Sequence, residues 1–149
     1  MYRKILVPVD GSKTAVLGLR EAIRLAKDQR AKVRLIHVVD ESLALRVVEA
    51  GADMTPLLNA LVKDGRAIIE RTRRLAKKLG VDAETACYES VAGRAADAIL
   101  DEAKKWRADL IVMGTHGRRG VNRMLLGSDA ELVVRRATVP VLLVRGRGA

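Results

Sequence analysis

The chain has 149 residues and a net charge of +10, with 28 Lys or Arg against 18 Asp or Glu. Its composition, 49% hydrophobic and 31% charged, excludes a disordered chain. No apolar run approaches the roughly 18 residues of a membrane span. The length predicts one domain over residues 1–149.

The N-terminus and the cysteine content indicate a compartment. Only five apolar residues lie between Lys4 and Asp10, and that run is too short for a secretory signal. Cys87 is the single cysteine, which excludes an internal disulfide and fits a reducing cytosol. We therefore expect a cytoplasmic protein.

In the first half of the chain, strand and helix patterns alternate. The apolar run 5–9 predicts a buried strand, and apolar residues at helical spacing over 15–26 predict a helix that Ser12 caps. Residues 32–39 predict a second strand. Residues 41–54 are ambiguous between a short helix and a loop.

The second half continues the alternation. Thr55 as cap, Pro56 at the first helical position and Gly80 after the last turn bound a long amphipathic helix. The later elements follow in order: a weak strand over 81–88, a helix over 94–106, a strand over 109–113, a Gly- and Arg-rich loop over 114–127, a helix opened by Ser128 with Glu131 as a capping box, and a strand over 139–144.

Alternating strands and helices predict an α/β fold, with a single parallel sheet and right-handed crossovers. Nearly continuous apolar strands indicate that helices cover both faces of the sheet. Pro140 lacks the amide hydrogen that a central strand needs, which predicts that the last strand lies at a sheet edge.

Two strand ends carry residues suited to a ligand. Ligands of open α/β sheets bind beyond the carboxyl ends of strands, where the strand order reverses. The first strand ends in Pro8-Val9-Asp10, and the fourth leads into a loop that closes with Gly127-Ser128 at a helix start. Glycines allow close backbone approach, and a helix N-terminus attracts phosphate. The loop therefore predicts an anion site, although both GxxxxGK[ST] and GxGxxG are absent.

The loop has a specific spacing. Gly114, two residues, Gly117, nine residues, Gly127 and then Ser128 match the nucleotide-binding pattern of the universal stress protein family. The opening ILVPVDGS and the strand end HVVD are also similar to that family, and the resemblance extends over essentially the whole chain. Members with this pattern typically bind ATP, so the sequence resembles the ATP-binding subgroup.

The resemblance implies a fold and a set of roles. The fold is a five-stranded parallel sheet in the order 3-2-1-4-5, open and Rossmann-like. The implied nucleotide contacts are Pro8, Val9 and Asp10 at the adenine and ribose, the Val38 backbone at the adenine, Met113 and Gly114 beneath the ribose and first phosphate, and Gly117, Gly127 and Ser128 around the phosphates. A divalent ion, Mg or Mn, is implied beside them, without a dedicated protein metal site.

Two charged residues in or beside the loop affect this site. Arg118 lies between the glycines and adds positive charge for the phosphates. Asp129 occupies a position where many relatives have an apolar residue, and we expect its carboxylate to point away from the ligand. Residues 104–149 as a whole hold ten Lys or Arg against three Asp or Glu, which favours anion capture.

Several residues have simpler interpretations. Asp10 is also suited to ending a strand and capping the next helix. His37 lies in an apolar strand and is predicted to pack in the core, whereas His116 is predicted to be a loop residue near the phosphates rather than a general base. Cys87 is predicted to be inert, because Glu89 beside it would raise the pKa of the thiol.

Three functions remain open from the sequence. The first is an ATP-binding stress-response or signalling module with little or no hydrolysis, acting as a homodimer through the edge strand 139–144. The second is a slow metal-dependent ATP hydrolase or nucleotidyl enzyme that uses His116. The third is a non-specific nucleic-acid binder, which the charge suggests; one Trp, two Tyr and no Phe make base stacking unlikely.

Overall fold

The structure, a computed structural model, describes residues 1–90, 93–115 and 126–146. Strands and helices alternate as the sequence predicts. The elements are β1 Lys4–Pro8, α1 Lys13–Gln29, β2 Lys32–Asp40, α2 Ser42–Glu49, α3 Thr55–Lys78, β3 Glu84–Ser90, α4 Ala95–Trp106, β4 Leu110–Gly114, α5 Ser128–Arg136 and β5 Val141–Val144.

The five strands form one parallel sheet in the order β3-β2-β1-β4-β5, which confirms the predicted topology. Alternate strand residues point to opposite faces, so each face has its own apolar core. Helices α1 and α3 cover the face that includes Ile5 and Leu35. Helices α4 and α5 cover the face that includes Leu6 and Ile111.

The helix in the ambiguous segment and the start of α3 refine the predictions. Residues 42–49 are the helix α2. Helix α3 begins at Thr55 itself, with Met54 as the residue before it, so Thr55 is not the cap. The Asp53 carboxylate accepts a hydrogen bond from the Thr55 amide at 2.9 Å and fixes this start. Gly80 has φ +92° and follows the helix end as predicted.

Two predictions in the second half were wrong in detail. The sheet pairing of the third strand covers Glu84–Ser90, later than 81–88. Helix α5 begins at Ser128 as predicted, but the cap position is taken by Gly127, so the Ser128–Glu131 capping box does not form. The Glu131 carboxylate instead pairs with Arg135 at 2.9 Å.

The last strand lies at the sheet edge as predicted but is shorter than expected. It begins at Val141, because Pro140 has no amide hydrogen to contribute to the ladder. The Pro140 carbonyl still accepts a hydrogen bond from the Ile111 amide at 3.0 Å.

No helix within the described ranges combines the length and the hydrophobicity that crossing a membrane requires.

Candidate functional site

The space between the carboxyl ends of β1 and β4, called the crevice below, lies beyond the last residue pair that joins the two strands. These neighbouring strands pair only at Ile5–Leu110 and Leu6–Ile111, although each continues beyond that point. Strand β1 stays paired with β2 up to Pro8. The central strands therefore separate at the point where the strand order reverses, and this is where open α/β sheets receive ligands.

The β1 side of the crevice is a tight turn into α1. The Asp10 Oδ1 accepts a hydrogen bond from the Ser12 amide at 2.9 Å, and Gly11 between them has φ +80°, a conformation that favours glycine. The Ser12 hydroxyl accepts from the Ala15 amide at 3.1 Å and caps α1 as predicted. Asp10 thus organises the turn while its half-buried side chain lies at the crevice.

Hydrogen bonds hold the backbone of Val9 at both its amide and its carbonyl group. Its amide donates to the Ile36 carbonyl at 2.8 Å. Its carbonyl lies 2.8 Å from Nδ1 of His37, a side chain that is only 7% exposed. A carbonyl oxygen only accepts, so Nδ1 is the donor. The prediction of a packed core histidine is confirmed, and His37 also positions the end of β1.

Gly114 is needed for packing between β4 and α1. A Cβ at Gly114 would lie 2.7 Å from the Thr14 carbonyl carbon, and a Cβ at Gly18 of α1 would lie 3.2 Å from the Gly114 amide nitrogen. Two glycines therefore let the first turns of α1 approach the end of β4. This contact holds the α1 N-terminus at the crevice.

The start of α5 forms the other wall. The Gly127 amide donates to the carbonyl of Thr115 at 2.9 Å, and the Thr115 amide donates to the Val144 carbonyl at 3.1 Å. Ser128 is exposed at the first position of the helix. Helix α1 follows β1 and helix α5 follows β4, so both helix N-termini lie at the carboxyl ends of these strands. Both carry the partial positive charge that favours phosphate.

Asp129 accepts a hydrogen bond from the Ala96 amide at 3.3 Å. Its carboxylate is therefore directed toward the first turn of α4, where the helix dipole favours a negative charge. This hydrogen bond gives the Asp129 carboxylate a favourable position beside another helix N-terminus.

The remaining predicted contacts are distributed along the strand ends. Pro8 ends β1 and Val38 lies in β2, both half-buried, whereas Met113 near the end of β4 is buried. Gly117 and Arg118 lie outside the described residues, as do His116, Arg119 and Arg123.

Metal ligation and thiol chemistry find little support in the described part of the chain. No three His, Cys, Asp or Glu side chains converge there on a possible metal position. Burial is the main cause that raises the pKa of the Cys87 thiol; Arg66 lowers it and Glu89 raises it. A raised pKa leaves little thiolate at neutral pH, as expected for an inert cysteine.

Sequence reasoning missed three positioning residues. Thr115 is buried and joins α5 to β5 through its backbone, and Gly18 sets the spacing between α1 and β4. His37 was identified only as a core residue. A signal for His37 existed, since a lone polar ring in an apolar strand needs a buried hydrogen-bond partner.

The strand order defines a doubly wound α/β protein whose order reverses between β1 and β4. The model of the universal stress protein family matches residues 1–145. The chain therefore belongs to the universal stress protein family.

Individual relatives agree with this assignment. Universal stress protein MJ0531 of Methanocaldococcus jannaschii is 38% identical, with 97% of this chain and 83% of that protein aligned. The solved structure of MJ0577 has a TM-score of 0.84 at 29% identity and covers 100% of this chain and 99% of its own. A universal stress protein in complex with cAMP has a TM-score of 0.67 at 26% identity, with 97% of both chains covered.

Proposed function

We propose that this protein binds an adenine nucleotide, with ATP as the main ligand, in the crevice between β1 and β4. The observation that carries the proposal is the separation of these strands beyond Leu6–Ile111, with a helix N-terminus beginning after each. Similarity to a universal stress protein whose solved complex contains cAMP supports the adenine nucleotide class.

Each end of the nucleotide has a proposed set of partners. Pro8, Val9, Asp10 and the Val38 backbone receive the adenine and ribose. Met113 and Gly114 pass beneath the ribose and first phosphate, and Gly117, Arg118, Gly127 and Ser128 surround the phosphates. Asp129 supports the α4 start from the rim of this site.

An accompanying Mg or Mn ion would be held mainly by the phosphates. Mg²⁺ is commonly bound through one or two carboxylates together with substrate phosphates and water. In the ranges that the structure describes, Asp10 is the carboxylate at the crevice side of β1, and no larger ligand cluster converges. The ion would therefore neutralise phosphate charge and arrive with the nucleotide.

We propose a cytoplasmic nucleotide-dependent stress or signalling module rather than a fast enzyme. The support is the chemistry of the crevice walls: a backbone-lined cleft with Asp10 committed to the turn before α1. Binding nucleotide tightly does not by itself accelerate its hydrolysis. A homodimer through β5 would carry the signal.

The decisive experiment is to identify the ligand. Purified protein is denatured, and the released small molecules are identified by mass; apo protein is then titrated with ATP, ADP and AMP in a calorimeter. We expect a copurified or titratable adenine nucleotide. Protein that carries none and binds none of the three would overturn the proposal.

The same preparation separates the two alternatives. Turnover of ATP above about 1 s⁻¹, the lower end of typical enzyme rates, would favour the hydrolase. Binding to DNA that falls steeply with salt and shows no sequence preference would indicate only phosphate contacts of the kind that a +10 chain makes.

A further inference from the structure

A buried carboxylate directly after β2 has no hydrogen-bond or ion-pair partner among the groups that the structure describes. Glu41 is only 4% exposed, yet across the described ranges its carboxylate has no hydrogen bond or ion pair. A buried carboxylate without a donor is costly. A hydrogen-bond donor placed next to this carboxylate would remove that cost.

Glu41 lines a groove of about 470 Å³, a size typical of small-molecule sites. Its lining comes from the first half of α3, from Glu41 directly after β2 and from Glu89 near the end of β3. Leu58 and Val62 give it an apolar floor, and Lys63, Arg66 and Glu89 supply charge.

The groove is separate from the crevice between β1 and β4. Its lining comes from α3, β3 and the residue after β2, whereas the crevice lies between β1 and β4, on the other side of β1 from β2. None of its lining residues belongs to the proposed nucleotide contacts. A ligand here would be a second molecule.

The two signs of charge occupy different places in the groove. Both carboxylates lie on the strand side of the groove, Glu41 directly after β2 and the exposed Glu89 on β3, whereas Lys63 and Arg66 belong to α3. Within the described ranges neither cation forms an ion pair with Glu41. A single cation would leave Lys63 and Arg66 unused, and a single anion would leave Glu41 without a donor. The lining therefore matches a molecule with separated opposite charges.

We propose that this groove binds a small zwitterion, whose ammonium group donates to Glu41 and whose carboxylate faces Lys63 and Arg66. An aliphatic spacer between the two groups packs on Leu58 and Val62. This chemistry is that of an amino carboxylate with its charges several bonds apart.

The test uses 6-aminohexanoate as the zwitterion, with hexylamine and hexanoate as probes that each carry one charge. Each is titrated into the isotope-labelled full chain, and the amide resonances of Glu41, Asn59 and Val62 are followed. We expect saturable shifts with 6-aminohexanoate and an affinity at least tenfold above that of either single-charge probe. Equal, non-saturating shifts with all three probes would overturn the proposal.

Two variants assign the charges. Glu41→Gln keeps the side-chain shape and should weaken 6-aminohexanoate binding at least tenfold, while Glu49→Gln, at the exposed end of α2, should leave it unchanged. Arg66→Gln, at an exposed position, should weaken 6-aminohexanoate and hexanoate but not hexylamine. If Glu41→Gln and Glu49→Gln behave alike, water alone satisfies Glu41 and the site does not exist.

ATP affinity measured on the same variants keeps this result independent of the nucleotide proposal. It should be unaffected by Glu41→Gln. A chain that binds ATP but no zwitterion contradicts only the groove site, and the reverse contradicts only the nucleotide site.

Discussion

His37 occupies space that only a glycine on the neighbouring helix leaves free. A Cβ at Gly65 of α3 would lie 2.9 Å from both the His37 Cδ2 and a methyl carbon of Val39. We expect Gly65→Ala to lower the free energy of unfolding by about 1–3 kcal/mol, as overpacking of a core does. Urea denaturation measures the change.

A control on the same helix separates the steric effect of Gly65→Ala from its effect on helix propensity. Ala67→Gly on the exposed side of the same helix changes propensity alone and should cost about 1 kcal/mol. If the clash is with the imidazole, His37→Ser should reduce the penalty of Gly65→Ala. Strictly additive effects in this double-mutant cycle would show that the ring is not what excludes the methyl group.

One substitution can separate the role of Asp10 in the turn before α1 from its proposed role in nucleotide binding. Its Oδ1 accepts the Ser12 amide hydrogen, and asparagine can keep that bond while losing the charge. We expect Asp10→Asn to fold normally and to weaken ATP binding about tenfold or more, since hydrogen bonds to a charged group contribute about 1.5–3 kcal/mol. Calorimetric titration measures this loss, with the exposed Asp28→Asn as control; equal affinities in the two variants would leave Asp10 only its turn role.

Strand β2 is joined to helix α4 by a buried ion pair. Glu102, whose side chain is 1% exposed, pairs with Arg34 at 2.6 Å and accepts a hydrogen bond from the Tyr88 hydroxyl. Arg34 also pairs with the more exposed Glu84 and stacks 4.8 Å from the Trp106 ring centre. One guanidinium thus serves a buried carboxylate and an exposed one.

Because Glu102 is buried and Glu84 is exposed, breaking the two ion pairs should lower the free energy of unfolding by different amounts. Arg34→Met leaves the buried Glu102 carboxylate without its cation and should lower the free energy of unfolding by about 3–5 kcal/mol. Glu84→Gln removes only the exposed partner, and salt bridges of that kind contribute about 1 kcal/mol or less. Chemical denaturation of both variants tests the difference, and comparable losses would mean that the buried pair is no more costly to break than the exposed one.

Because of the same network, we expect the folded state to lose stability at alkaline pH. The hydrogen bond to Glu102, followed by burial, raises the pKa of Tyr88 above its usual value near 10.0. The folded state then holds this proton more firmly than the unfolded state does, so stability present below pH 10.0 is lost as pH rises through the folded pKa. Unfolding measured from pH 8 to 11 should show the loss, and Tyr88→Phe should flatten it; identical slopes would remove Tyr88 as the cause.

The elements were predictable where periodicity decides them and less so where tertiary contacts do. Hydrophobic periodicity predicts the alternation of strand and helix, and the family resemblance implies the strand order 3-2-1-4-5. The cap of α5 could not be predicted, because Gly127 is held by the Thr115 carbonyl, a contact from outside the helix. Asp129 likewise depends on the Ala96 amide of another helix, which no local pattern encodes.

The whole molecule is expected to be a homodimer, because β5 is an end strand of the sheet. Strand edges with unpaired backbone groups readily pair with another chain. The Pro140 carbonyl accepts a hydrogen bond from the Ile111 amide of β4, and the Val144 carbonyl accepts one from the Thr115 amide directly after β4. The backbone groups of even-numbered residues in and beside β5 therefore face β4. Val141 and Leu143 therefore direct their amide and carbonyl groups to the outer edge.

That register gives a specific test of the dimer. Leu143→Pro removes an outward amide hydrogen, and proline is tolerated in an edge strand, so we expect sedimentation velocity to show single chains of about 16.2 kDa. Leu143→Ala shortens the side chain to a similar extent but keeps the amide, and it should remain dimeric. Since the predicted ladder depends on backbone pairing, a dimeric Leu143→Pro protein, or monomers in both variants, would exclude an interface built on the β5 edge.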